Sequence, residues 1–349
     1  MLTKHWVVDN PVDAKKSYPQ IKEAATLLQK GEVVAFPTET VYGLGADALK
    51  DEAVAKIYHA KGRPSDNPLI VHIANQSQLN ELVATIPEAA KKLMGAFWPG
   101  PLTIIFKKKA NVLSEKVTAG LETVAIRMPN HPVALAVIAQ AQLPIAAPSA
   151  NQSGKPSPTT AQHVLDDLKG RIAGVVDGGE TGVGVESTVV DCTAPIPVIL
   201  RPGGITKEAI ETIVGKVSLD PALKDKESQP KSPGMKYKHY APDMPMYLLD
   251  GHIHWIQKVI QDEQAKGKKV GLLTTEERVP QYKADVIIPC GRREDLSSVA
   301  KSLYDVLRKF NETDVDIIFS EVFPKEGVGL AIMNRLEKAA AHQWMVEME

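Results

Sequence analysis

Cysteine is scarce in this chain of 349 residues, which holds only Cys192 and Cys290. The two stand far apart without metal-ligand spacing, so neither a disulfide framework nor a zinc centre is expected. A surplus of charge of one sign is also lacking. Lys plus Arg number 41 against 42 for Asp plus Glu, a formal net charge of -1, so no global field draws the chain to nucleic acid or an anionic membrane. Any bound anion must be held by particular residues. Aromatic residues make up 5%, few for a surface that would read nucleic acid by stacking. No run of about 18 apolar residues occurs, and the opening MLTKHWVVDNPVDAKK has no apolar stretch of signal-peptide type. No membrane span is expected, and the cytoplasm is the expected compartment.

Two nucleotide motifs are missing as well. The nearest text to a P-loop, Gly179 to Gly184, is followed by Val185 and Glu186 where that loop needs Lys and Ser or Thr. No G-x-G-x-x-G follows a strand; Gly43 and Gly45 supply only a fragment of one. No Ser-His-Asp spacing, paired-carboxylate motif or His/Asp/Glu metal cluster stands out, so a site here would work by positioning and charge neutralisation.

What is present is an ample apolar fraction, 44%, and enough length for two domains. Up to about residue 215, strand-like runs alternate with helical spacing. Ile21, Ala24, Ala25 and Leu28 repeat as one helix face, stopped by Gly31. Val33 to Phe36, Leu69 to Ile73, Leu102 to Phe106, Thr123 to Ile126, Ile145 to Ala147, Ile172 to Val176 and Val198 to Leu200 read as strands. Asp51 to Ala60, Pro132 to Ala141 and Thr160 to Leu168 read as helices. Residues 216–245 are rich in Pro and Lys and lack periodicity, which predicts a linker. Alternation then returns. The expected class is α/β: an N-terminal domain (1–215) with a twisted mixed sheet and helices, the linker (216–245), and a smaller Rossmann-like α/β domain (246–349) with a parallel sheet.

Three segments could carry chemistry. In KGRPSDNPL, Lys61 and Arg63 follow a helix end, and Gly62 and Pro64 break regular structure so that the two cations and Asn67 can converge on a polyphosphate. The same cations could merely offset a helix dipole. In PSANQSGKPSP, Ser149 and Asn151 follow the strand ending at Ala147, the end at which open α/β sheets bind ligands, and Ser153, Gly154 and Ser157 could form an anion nest. A solvated loop has the same composition. In FPTETVYGLG a strand runs into Thr-Glu-Thr and then a Gly-rich turn, and Thr38 and Thr40 present hydroxyls at the strand end; β-branched threonines held extended beside a turn have the same look. Among single residues, Arg127 ends a strand where a guanidinium suits a carboxylate, or a surface ion pair. His72 lies inside an apolar run, Ser187 and Thr188 follow a Gly-rich turn, and Arg201 ends a strand before PGG.

In order along the chain stand PTETVYGLG, KGRPSDNPLIVH, FWPGPLT, VAIRMP, PIAAPSANQSGKPSPT, GVESTVVD and ILRPG, and later SPGMKYKHYAP and GVGLAIMNRLEKAA. Together they resemble the YrdC/YwlC family of L-threonylcarbamoyl-AMP synthases in its two-domain form. The resemblance implies a nucleotidyltransferase that joins L-threonine, bicarbonate and ATP, with Mg²⁺ carried on the ATP phosphates and none held by protein side chains. Other proteins would then transfer the threonylcarbamoyl group to tRNA, with direct tRNA binding by this chain weak or absent. By the same matching, Lys61 and Arg63 are catalytic. Arg63, Asn67, Thr123, Ser149, Asn151, Ser157, Arg201 and Tyr240 fall on ATP contacts. Thr40, His72, Arg127, Ala147 and Ser187 fall on L-threonine contacts. Lys236, Lys238, His239 and Tyr240 in the linker are the expected lid over a water-labile product. Two other readings stand beside this one: a non-catalytic RNA-binding module, and a carbamoyl-adenylate-forming maturation enzyme, which would be longer and carry Cys-x-x-Cys pairs.

Overall fold

The computed structural model describes residues 2–8, 18–221 and 240–348. Lys236, Lys238 and His239 lie outside them. The described residues form two compact units, one carrying the first eleven strands and the other the last five.

The first unit contains β1 (Lys4–Val7), β2 (Val34–Phe36), β3 (Gly43–Asp47), β4 (Ile70–His72), β5 (Leu102–Lys107), β6 (Thr123–Arg127), β7 (Ile145–Ala146), β8 (Gly174–Asp177), β9 (Thr188–Asp191), β10 (Val198–Arg201) and β11 (Ser218–Leu219). They hydrogen-bond in the order β1-β8-β2-β3-β7-β4-β6-β5-β9-β10-β11. Parallel pairs such as β4 with β6 alternate with antiparallel ones such as β5 with β6, so the sheet is mixed as expected. Helices cover it because its strands are apolar on both faces. The helix Pro19–Gln29 buries Ile21, Ala24, Ala25 and Leu28 against the helix Pro132–Ala141, the face read from the sequence. A larger cluster including Leu44, Ile57, Val71, Ile104 and Phe106 forms the other main core. Gly45 is required where β3 crosses β2 and β7: a Cβ there would lie 2.6 Å from the Phe36 ring and 2.8 Å from Ile145 Cγ2.

The second unit is a five-stranded, wholly parallel sheet of β12 (Met246–Asp250), β13 (Val270–Thr274), β14 (Val286–Pro289), β15 (Ile317–Glu321) and β16 (Trp344–Val346), in the order β14-β13-β15-β12-β16. The helix Leu296–Phe310 shows why these residues form a helix there. Asp295 caps it by accepting from Ser297 N–H, Arg308 and Lys309 stand in its last turn, and Val299, Leu303, Val306, Leu307 and Phe310 make one buried stripe.

Three elements depart from the sequence reading. Gly43–Asp47 is a strand where a Gly-rich turn was expected, because its two glycines permit close inter-strand approach. Thr188–Asp191 is a strand that the neighbouring Gly-rich text obscured. Ser218–Leu219 pairs with Val198–Ile199 at the start of the stretch read as linker.

Candidate active site

The register of the first sheet lines up His72, Arg127, Thr103, Val189 and Arg201 in one row across β4, β6, β5, β9 and β10. Residues paired side by side in a sheet project to the same face. Strands far apart in sequence thus bring a histidine and two arginines to a common line. All five residues of the row are buried. The same face carries the apolar patch Ile70, Ile105, Ala125, Val189 and Leu200.

Hydrogen bonds tie the row together. Arg127 donates through Nη1 to Thr40 Oγ1 at 2.9 Å and through Nε to the Gly100 carbonyl at 3.3 Å, and its Nη2 lies 2.7 Å from Glu39 Oε2. Thr40 and Thr38 hydroxyls are 2.8 Å apart. On the other side of Arg127, Thr103 Oγ1 is 2.7 Å from Ser187 Oγ, which accepts from Arg201 Nη2 at 3.1 Å. Arg201 Nε also donates to the Ser187 carbonyl at 3.1 Å. Gly203 lets this loop close, since a Cβ there would stand 2.3 Å from Glu186 O. FWPGPLT therefore contributes the Gly100 carbonyl that holds Arg127 and the Thr103 hydroxyl that meets Ser187.

His72 Nδ1 is buried without a partner. Burial first, then the charges of Arg127 and Arg201, push the His72 imidazole down to about 3, so it is neutral near pH 7. A neutral ring beside two guanidinium groups can accept or donate one hydrogen bond without adding charge. Burial likewise lowers His131, opposed by the Glu39 carboxylate.

Lys61 and Arg63 are set by the end of the helix Asp51–Lys61, which stops at Gly62 in a left-handed conformation (φ 63). Lys61 Nζ is buried and donates to the Asn151 carbonyl at 2.6 Å and to the Ser149 carbonyl; Asn151 Oδ1 is 3.3 Å away. The Ser149 hydroxyl donates to Asn151 Oδ1 at 2.6 Å. Lys61 thereby links two segments read separately from the sequence. The second of them is also paired to β3, with Leu44 N–H on the Pro148 carbonyl at 2.7 Å and Ala150 N–H on the Tyr42 carbonyl at 2.8 Å.

Arg63 Nη2 donates to the Asn67 and Pro68 carbonyls at 3.3 Å. The Asn67 side chain is buried with both amide atoms unpaired. An amide left so costs about 1–3 kcal/mol until a partner arrives. Since Ile70 is level with Ala125, Thr123 lies level with Pro68, two residues back on each strand. The β4–β6 pair therefore has Asn67 and Thr123 at one end and His72 and Arg127 at the other, roughly 13 Å apart. Ala147, whose N–H reaches the Ile70 carbonyl at 2.9 Å, borders the same strand. A cavity of about 510 Å³, lined by Tyr58, His59, Gly62, Arg63 and Lys116 among others, lies at the Arg63 end and includes none of the row residues.

The remaining positions are less central. Ser157 Oγ donates to Glu186 Oε1 at 2.6 Å, one residue before Ser187. Tyr240 belongs to the second unit, with its ring 5.1 Å from that of Tyr304. Sequence reading missed Glu39, Thr103 and Glu186. Glu39 was visible between the two threonines of PTET, but only the register shows that Thr103 shares a row with Arg127.

Residues 26–203 match the family described as "Telomere recombination" (Sua5, YciO, YrdC), and residues 205–341 match "Threonylcarbamoyl-AMP synthase, C-terminal domain". The threonylcarbamoyl-AMP synthase of Bacillus subtilis is 61% identical over 97% of this chain and 98% of its own length. That of Pyrococcus abyssi is 47% identical over 93% of this chain and 95% of its own. A crystal structure of P. abyssi Sua5 complexed with L-threonine superposes with a TM-score of 0.93 at 44% identity, covering 99% of this chain and all of that one. Matched in both domains and nearly end to end, the chain belongs to the two-domain threonylcarbamoyl-AMP synthase family.

Proposed function

We propose that the chain joins L-threonine, bicarbonate and ATP into L-threonylcarbamoyl-AMP with release of pyrophosphate, the activated group for threonylcarbamoyladenosine in tRNA. The observation that carries this is the His72–Arg127–Thr103–Val189–Arg201 row, beside the Lys61–Ser149–Asn151 cluster and the unpaired Asn67 amide. Full-length relatives sharing both domains favour it over an RNA-binding module or a maturation enzyme.

In this reading Arg127 takes the threonine carboxylate, while Thr40, His72 and Ser187 address the hydroxyl and amine and Ala147 borders them. The threonine amine attacks the bicarbonate carbon, forming the N–C bond, and loss of one water leaves the carbamate. A carbamate oxygen attacks the α-phosphorus, and pyrophosphate leaves. Arg63 and Arg201 neutralise phosphate oxygens, each charged hydrogen bond contributing about 1.5–3 kcal/mol. Lys61 shapes the Ser149–Asn151 loop and adds positive charge. Asn67, Thr123, Ser149, Asn151 and Ser157 complete the nucleotide contacts. The carboxylates near the site, Glu39 and Glu186, are engaged with Arg127 and Ser157, and the other side chains are guanidinium, ammonium, hydroxyl and amide groups, so the ATP phosphates would hold Mg²⁺ and it would offset their charge. Residues 1–215 make up the catalytic domain and 246–349 a second domain. The enzyme works in the cytoplasm and hands its product to tRNA-transfer proteins. No helix among the described residues is long and apolar enough to cross a membrane.

Pyrophosphate release measured with threonine, serine or no amino acid, each with and without bicarbonate, tests the reading. Release is expected to need both co-substrates and to favour threonine. Release independent of bicarbonate would refute it.

A further inference from the structure

The second unit has a buried polar cluster that the reaction above does not use. From β13 the chain turns to β14 on one side of the sheet, and from β15 it turns to β16 on the other. The carboxyl ends of the adjacent strands β13 and β15 are therefore a topological switch point, where the following connections leave to opposite sides. Open parallel sheets bind ligands at such points.

The residues there are not those of an ordinary loop. Glu321, the last residue of β15, is buried, and its carboxylate accepts from Thr274 at the end of β13, from Arg278, and from Tyr282 Oη at 3.0 Å. Arg293 comes from the loop after β14; its Nη2 is 3.8 Å from Glu321 and donates to the Val322 carbonyl at 3.1 Å. Its guanidinium lies over the Phe323 ring, 5.1 Å from the centroid. Its Nε is buried and has no hydrogen-bond partner.

Glu321 is fully committed to its donors, so it serves to orient the arginines. The Glu321 carboxylate is shared by two guanidinium groups, so neither is fully matched by a carboxylate of its own within the cluster. Both arginine side chains remain 28% exposed, through atoms other than the closed-off Arg293 Nε. The nearby Glu277 carboxylate is turned to the Arg293 backbone N–H, at 3.1 and 3.3 Å.

We propose that this switch point is a second ligand site, taking a small molecule through an oxyanion, carboxylate or phosphate, held by Arg278 and by Arg293, whose Nε gains its partner as the ligand seats. A guanidinium fixed on an aromatic face with an unused N–H is prepared for two-point contact with such a group.

Hydrogen–deuterium exchange of the full chain in chloride, phosphate or acetate at equal ionic strength tests this. Peptides spanning 274–282 and 290–296 report on the second unit alone, independently of anions bound in the first. Exchange there is expected to slow about threefold once an oxyanion reaches twice its Kd. Slowing by phosphate alone would mark a phosphoryl ligand, by acetate alone a carboxylate. The effect should vanish in Arg293→Lys, which keeps the charge but loses the Nε donor; unchanged exchange in β12 and β15 would show that this variant is folded. Identical exchange in all three salts, or slowing that persists in a folded Arg293→Lys, would overturn the proposal.

Discussion

Glu39 Oε2 stands 2.7 Å from Arg127 Nη2, and both side chains are nearly closed off from solvent. The guanidinium assigned to a substrate carboxylate thus already holds a carboxylate from the chain. Threonine must displace Glu39 or share Arg127 with it. Replacing Glu39 by Gln removes that competitor and also leaves a buried cation unpaired, which costs several kcal/mol in the ligand-free state. The expected result is a lower Tm without ligand, a larger threonine-induced rise in Tm, and a reduced KM for threonine. A raised KM for threonine would show that Glu39 assists binding instead.

Arg127 itself should separate the two substrates. Arg127→Ala is expected to raise the KM for threonine by about 10- to 100-fold, the equivalent of one or two charged hydrogen bonds, with a far smaller effect on ATP. Steady-state pyrophosphate release at varied threonine and varied ATP measures both. Equal effects would remove the carboxylate role.

Lys61 spans two loops, so its loss should be felt beyond its charge. Lys61→Ala leaves the Ser149 and Asn151 carbonyls without their ammonium partner. Pyrophosphate release should fall by at least about 100-fold, as expected when a positioning group at a reacting centre is lost. Circular dichroism should show the fold retained. Wild-type turnover in this variant would sink the assignment.

His72 gives a pH signature. Its imidazole is held at about 3 in the folded chain, against about 6.5 when unfolded. The unfolded state therefore takes up a proton that the native state refuses. Stability is full above about pH 6.5 and falls as pH drops toward 3, by at most about 1.4 kcal/mol per pH unit. His72→Gln should flatten the denaturation midpoint over that range; an unchanged pH dependence would contradict the buried, neutral ring.

Much of this was legible in the sequence, for stated physical reasons. Helix stripes such as Val299, Leu303 and Phe310 follow a period that burial enforces, and the apolar run Val270–Thr274 announces a strand covered on both faces. The text also pointed to Arg127, His72 and Arg201 one by one, as polar groups within or ending apolar strands. It could not show that they share a row, because register depends on pairing between strands up to about 130 residues apart. Thr103 was hidden for that reason, and so was the role of Lys61 as a tie to the Ser149–Asn151 loop. Gly43–Asp47 looked like a turn because glycine is usually a breaker, whereas here it answers a demand for close packing against Phe36 and Ile145.

The central claim is that one sheet face seats threonine at the Arg127 end and ATP toward Lys61, Arg63 and Asn67. A crystal structure of the full chain with L-threonine and a non-hydrolysable ATP analogue tests it directly. The threonine carboxylate is expected within about 3 Å of Arg127, and phosphate oxygens within the same reach of Arg63 or Arg201. Threonine and nucleotide bound on opposite faces, or threonine bound away from Arg127, would contradict it.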